Sequence, residues 1–180
     1  MSGDPNTPPG WSYNPSDWAN RVPIIVAALV GAAIAAYLAA YQLRLIESAW
    51  DPFFGAGTER ILDTPISRVL PIPDALLGAL AYLVDAVAGA IGGQDRWRRM
   101  PWIVILFGIA VGPLGAVSIG LVIIQPVLYN DFCTLCLATA FISVVMIGPA
   151  MDEVLATLQH VRREMRDGRG LWPAVLGADR

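Results

Sequence analysis

Four long apolar stretches divide this chain, at 22–43, 69–91, 101–129 and 132–151. A bilayer hydrocarbon core of roughly 30 Å asks about 20 such residues of a helix, so each stretch is a candidate membrane span. The first, VPIIVAALVGAAIAAYLAAYQL, carries no charge at all. The 20 residues before it are acidic and proline-rich, where a signal peptide would have a basic start, so the stretch reads as a retained span. With 56% hydrophobic and only 15% charged residues, composition alone excludes a soluble domain of this size.

Charge placement predicts the topology. All 12 basic residues are arginine; Arg21, Arg96, Arg98, Arg99, Arg162, Arg163, Arg166, Arg169 and Arg180 lie in segments on one side, and only Arg44, Arg60 and Arg68 on the other. Positive-inside bias therefore puts both termini in the cytoplasm and the loop after the first span outside. The alanine-rich, lysine-free composition suits a bacterial inner membrane, whose outer side is the periplasm. A net charge of −3 points to no nucleic-acid partner. The expected fold is all-α, an integral membrane four-helix bundle of residues 21–151.

Outside that unit, residues 1–20 lack periodicity and are expected to form a disordered N-terminal tail. Residues 152–180 are expected to form a cytoplasmic amphipathic helix and tail, with Val154, Leu155, Leu158, Val161 and Met165 along one stripe. His160 there reads as a solvated side chain. The outer loop carries turn formers and one apolar cluster, Ile61, Leu62 and Ile66, and reads as a lid over the bundle. In the second span Asp74 and Asp85 stand 11 residues apart, nearly on one helical face with Gly78 and Ala81 between them. A carboxylate inside a span is a functional candidate. In the third, Gly108, Gly112, Ala116 and Gly120 form a small-residue ridge for a neighbouring helix.

The only cysteines, Cys133 and Cys136, form a CxxC at the outer end of the fourth span, in YNDFCTLCLATAF. At i and i+3 they share a face, close enough for a disulfide. With Asn130 or Asp131 as the expected N-cap, both lie in a first helical turn, where the dipole favours thiolate. Leu137 stands where c-type haem attachment needs histidine, and the single His160 falls on the far side of the membrane, so neither haem nor structural zinc fits and no metal is expected. A redox dithiol at the membrane surface remains, alongside the plainer reading of two small residues packing in a helix.

Four spans, cytoplasmic termini, a long outer loop and FCTLC opening span four together resemble the vitamin K epoxide reductase family over about residues 20–151. LPIPDALLGALAYL, at 70–83, resembles that family's proline, glycine and tyrosine pattern. The resemblance implies oxidation of thiols by a lipid quinone, menaquinone or ubiquinone, with Cys136 facing the quinone and Cys133 exchanging with another thiol. It places Asp74 where some members hydrogen-bond the quinone through asparagine, and Thr64 where a serine hydroxyl often sits. It also implies a thioredoxin-like periplasmic donor, acting in the family through a second cysteine pair in the outer loop. Trp50 and Thr58 stand in those positions here, so the relay is missing. A donor would have to reach Cys133 directly; the alternatives are reduction of a quinone epoxide, or a non-catalytic binding or accessory subunit.

Overall fold

The computed structural model describes residues 6–68 and 71–177, and the secondary structure among them is entirely helical. In chain order the helices are α1 (Trp18–Gln42), α2 (Gly57–Leu62), a 3-10 turn (Pro65–Arg68), α3 (Asp74–Ala90), α4 (Arg96–Arg99), α5 (Pro101–Ile124), a π-helical segment (Gln125–Tyr129), α6 (Thr134–Arg166) and α7 (Leu171–Leu176). Three are long and apolar enough to cross a membrane: Trp18–Gln42, Pro101–Tyr129 and Thr134–Arg166. The second apolar stretch yields only the 17 residues of α3, about 26 Å of helix. Val69 and Leu70, expected at its start, lie outside the described residues.

The outward faces confirm the solvent. Val22, Val26, Leu29 and Val30 on α1, Trp102, Leu106 and Ile109 on α5, and Phe141, Val144 and Val145 on α6 are all exposed. In water such a surface would be an aggregation liability; in lipid it is the matching face. The interior, by contrast, holds Arg21, Arg96, Glu153, Asp85 and Ser143. This is a membrane protein.

The four longer helices alternate in direction, so the first and last described residues share one end and the CxxC lies at the other. Helix α1 packs along α3, α5 along α6, and α1 on α6, while the seam between α3 and α5 is the thinnest of the four. Small residues make the close approaches. Ala28, Ala32 and Ala35 meet Ala79, Tyr82 and Ala86, and a Cβ on Gly31 would lie 2.7 Å from the Tyr82 ring. On α5 the side facing α6 is marked by Gly108 under Val154 and Gly115 under Ile147, whereas Gly112 and Gly120 face open space. The expected ridge at every fourth residue is therefore rotated, because a straight helix needs mixed three- and four-residue steps to stay on one face.

The terminus end is held by buried charge. Helix α3 finishes with carbonyls that no intrahelical N–H can reach. Arg21 donates to Gly89, Gly92 and Ile91 at 2.8–2.9 Å, and Arg96 to Ala88 at 2.7 Å and Ile91 at 3.0 Å. Arg96 also forms a two-pronged ion pair with Glu153 of α6, which the Ser16 hydroxyl completes. All three charged side chains are at most 2% exposed.

Residues 6–17, for which the sequence predicts no order, lie against this cluster. Trp11 donates to Gln159, Asn14 to the Gln94 carbonyl, and Trp97 to the Asn6 carbonyl. Beyond residue 151 the chain continues α6 unbroken to Arg166.

Removing one partner of a buried pair leaves an uncompensated charge, so Glu153→Ala should destabilise by about 3–5 kcal/mol. Arg44→Ala, at the exposed Arg44–Asp63 pair, should cost less than about 1 kcal/mol. Unfolding in detergent measures both, and equal losses would remove the buried cluster as the anchor of this end.

Candidate functional site

The site begins where α5 ends. Pro126 has no N–H to continue the α-helical ladder, and the chain widens into the π-helical Gln125–Tyr129 before Asn130 turns it with φ 50°. This turn puts the Gln125 side chain under the start of α6, where its Oε1 accepts the Cys133 N–H at 3.0 Å. The helix cap differs from expectation. Cys133 itself is the N-cap, its Sγ accepting the Cys136 N–H at 3.0 Å. Asp131 instead takes both prongs of Arg60, which holds its carboxyl below the usual carboxylate range.

Cys133 and Cys136 are joined as a disulfide with Cα atoms 5.2 Å apart. The two sulfurs face different surroundings. Cys133 is fully buried beneath the loop 44–64, while Cys136 lines a cavity inside the bundle.

Asp51 fastens that loop. Its carboxylate accepts N–H groups of Phe53 (3.0 Å), Phe54 (2.9 Å) and Thr58 (3.2 Å), the Thr58 hydroxyl (2.7 Å), and the N–H and hydroxyl of Thr134 on α6. Burial alone would raise the Asp51 pKa, but the Thr134 hydroxyl, the Phe54 and Phe53 N–H groups and the Thr58 hydroxyl hold it well below the usual carboxylate range. Thr58 is fully buried with Oγ1 3.4 Å from Cys133 Sγ. Trp50, the other loop position of interest, is 67% exposed.

Helix α2 then lies flat on the CxxC turn. Ile61 and Leu62 are buried, and Leu62 joins Leu38, Tyr41 and Ala49 with Leu135 and Cys136 alongside. The Ile66 side chain lies outside the described residues. Gly57 touches the Phe132 carbonyl so closely that any Cβ would overlap it. Burying a leucine such as Leu62 contributes about 1.5–3 kcal/mol, so the lid has an apolar foot as well as a polar latch.

The cavity beside Cys136 has a volume of about 380 Å³ and lies between α3 and α5, bordered by parts of α1, α2 and α6 and open on its α3–α5 side, where Leu77 and Val117 are exposed. Its wall is mainly apolar, from Leu38, Leu62, Leu77, Leu114, Val117 and Leu121, with Asp74, Tyr82, Ser118, Gln125 and Thr139 as polar points. That mixture, at that size, suits a flat apolar ligand with a few polar atoms. The Tyr82 hydroxyl lies 2.6 Å from both the Thr139 carbonyl and Ser143 Oγ, which in turn receives Ser118 at 3.3 Å.

The structure brings some of the sequence candidates together. Asp74, the first residue of α3, lines the cavity with Gly78 and Ala81, and accepts from Gln42 Nε2 at 2.5 Å and the Ala75 N–H at 2.8 Å. Thr64 is buried, and its hydroxyl donates to the Ile61 carbonyl at 2.7 Å, away from the cavity lining. Ser67 donates to the same carbonyl and borders a smaller space of about 50 Å³ shared with Asp74, Gln125 and Cys136. Asp85 is fully buried, has no hydrogen-bond partner among the described residues, and does not line the cavity. Asp51 and Gln125 were not anticipated. Gln125 is the one amide in the stretch 101–129, and a polar residue within a span was the signal for it.

The chain matches the sequence model of the "Vitamin K epoxide reductase family" over residues 22–150. No curated protein matches it significantly.

Two outcomes follow for the lid. Asp51→Ala removes charge-assisted hydrogen bonds worth about 1.5–3 kcal/mol each, and Gly57→Ala forces α2 off Phe132; both should speed reduction of the disulfide by a water-soluble phosphine tenfold or more. Because the Asp51 pKa is depressed in the closed state, its contribution is present above the free value of about 3.9 and is lost as pH falls through the lower, folded value. Reduction of the unaltered protein should therefore stay slow from roughly pH 8 to about pH 4.5, with the lid loosening only in stronger acid. A rise already at neutral pH, or no acceleration in either variant, would show that Asp51 does not hold the lid.

Proposed function

Because the chain belongs to the vitamin K epoxide reductase family, we propose that it is a membrane thiol oxidoreductase that couples the Cys133/Cys136 pair to a lipid quinone. The observation that carries this reading is the asymmetry of the disulfide. One sulfur faces a largely apolar cavity and the other the underside of a lid on the loop side. In this reading all four apolar stretches span, and both termini are cytoplasmic. The membrane is a bacterial inner membrane, and the lid faces the periplasm.

The quinone supplies an acceptor of two electrons and two protons. The protein's part divides between its two sulfurs. A donor dithiol on the loop side, of thioredoxin-like type, attacks Cys133 Sγ when the lid is open. The S–S bond breaks with Cys136 as leaving thiolate, and the donor's second thiol resolves the mixed disulfide, leaving Cys133 and Cys136 reduced. Cys136 then passes an electron pair across the cavity while Cys133 attacks its sulfur, restoring the disulfide and releasing two electrons and two protons to the quinone. The Cys136 N–H aimed at Cys133 Sγ stabilises negative charge on that sulfur during this exchange.

Residues around the cavity orient the ring. Asp74, which lines the cavity and accepts the Gln42 amide, is assigned to orient the quinone. Gln125 fixes the Cys133 backbone and also borders the cavity. Thr64 acts at one remove, holding the turn after α2 through the Ile61 carbonyl.

A second reading, a non-catalytic binding or accessory subunit, is favoured by one observation: Thr58 and Trp50 stand in the relay positions and Cys133 is sealed. Reduced protein in detergent, mixed with menaquinone or ubiquinone, separates the two. Loss of both free thiols with one quinol formed per protein, abolished in Cys136→Ala, is the expected result. Thiols that persist with both quinones would leave the accessory reading in its place. With a thioredoxin-like donor supplied, Asp51→Ala should raise turnover if lid opening limits it.

A further inference from the structure

Asp85 is a buried carboxyl that the rest of the fold does not use. Its side chain is fully enclosed, and both carboxyl oxygens lack a hydrogen-bond partner among the described residues. We propose that Asp85 is held as a neutral carboxylic acid and lends its proton, through Tyr82, to a quinone being reduced in the cavity beside Cys136. This role rests on the quinone reading above and adds a proton donor to it.

Charged groups are close by, yet they are engaged elsewhere. Arg21 donates to the Gly89 carbonyl and Arg96 to that of Ala88, one turn further along α3. Glu153 of α6 is held by Arg96 and the Ser16 hydroxyl. The setting of Asp85 is apolar instead. Its neighbour Ala86 joins Ala28 of α1, Phe107 of α5 and Met146 and Ala150 of α6 in one cluster. An ionised carboxylate there would have neither a countercharge nor a hydrogen bond, so the group is carried with its proton. A leucine would suit the packing better, and a polar group kept there unmet calls for a use.

The route toward the cavity begins one turn away. Tyr82 precedes Asp85 by three residues on the same face, and a helical side chain leans over the turn before its own, here that of Tyr82. The Tyr82 hydroxyl lies 2.6 Å from Ser143 Oγ, and Ser118 Oγ lies 3.3 Å from the same atom. Tyr82 and Ser118 both line the cavity. A hydroxyl donates and accepts at once, so each passes one proton on as it takes another. The Asp85 proton goes to the Tyr82 oxygen, that of Tyr82 to Ser143, that of Ser143 to Ser118, and that of Ser118 to one ring oxygen. The other ring oxygen takes the Cys136 thiol proton, and both electrons come from the dithiol. Cys133 lies sealed under the lid, so its proton is not at hand when the ring is reduced. The carboxylate left on Asp85 takes up that proton afterwards, and over the cycle two thiol protons become two quinol protons.

Quinol formation by the reduced full chain in detergent, with menaquinone, tests this alongside infrared difference spectra of the same samples. Asp85→Asn should slow quinol formation about tenfold or more, and Asp85→Glu, which keeps the acid, should recover most of the rate. Tyr82→Phe should also slow it, and adding Asp85→Asn to Tyr82→Phe should slow it no further, because the two residues act in one path. The infrared carbonyl band of a neutral carboxylic acid should be present at rest, lost in Asp85→Asn, moved in Asp85→Glu and perturbed when the quinone is reduced. The band keeps the test decisive if the asparagine variant fails to fold, since Asp85→Glu alone assigns it. Unaltered rates in Asp85→Asn, fully additive losses with Tyr82→Phe, or a band indifferent to quinone reduction would each overturn the proton role and leave the redox reading standing. No quinol from the unaltered protein would sink the redox reading and this role with it.

Discussion

The carbonyl groups at the end of α3 have no partner within their own helix, and a membrane interior offers no water to satisfy them. Arg21 and Arg96 answer that need, reaching in from α1 and α4 to cap Ala88, Gly89, Ile91 and Gly92. Glu153 then neutralises Arg96 from α6. This arrangement ties three helices and the N-terminal segment to one short helix. It fixes the height of α3, and with it the level at which Asp74, Gly78 and Tyr82 present themselves to Cys136. The thin seam between α3 and α5 leaves the cavity there.

At the other end the logic is one of separation. A two-residue spacer in a first helical turn forces the cysteines together, yet the elements around them treat each sulfur differently. The π-helical ending of α5 and the left-handed Asn130 direct Cys133 upward into the lid, while the turn of α6 directs Cys136 inward. A buried carboxylate, Asp51, holds the lid with hydrogen bonds from its own loop and from Thr134, so closure depends on groups from both sides of the joint. In the function proposed above, a thiol partner would meet the lid first and a lipid-soluble acceptor the cavity first. Such a division suits a protein that passes electrons between two phases without letting the phases mix.

Arginine serves two physical roles in this chain that look the same on paper. Arg21 and Arg96 contribute to the charge asymmetry used to orient the chain, but they are buried caps; Arg98, Arg99 and Arg169 surround a polar cavity. The difference lies in the neighbour each one meets. Arg21 and Arg96 meet the end of α3, whereas Arg98 and Arg99, only two and three residues further on from Arg96, meet Asp95 instead.

Membrane residence, the apolar segments and the pairing of the two cysteines were legible in the sequence, because hydropathy and cysteine spacing are local properties that survive any packing. Asp74 entered the candidate site through the family resemblance and not through its place in the span. Nothing local distinguished Asp74 from Asp85, or Thr64 from Ser67, because which side of a helix faces a cavity depends on neighbours that the periodicity does not name. The same limit hid Gln125 and Asp51, which matter through Cys133, eight and 82 residues away in the chain. The sequence by itself determined the solvent, the long helices and the cysteine pair; the tertiary structure alone decided which sulfur is sealed and which is open, because burial is a property of what packs on top.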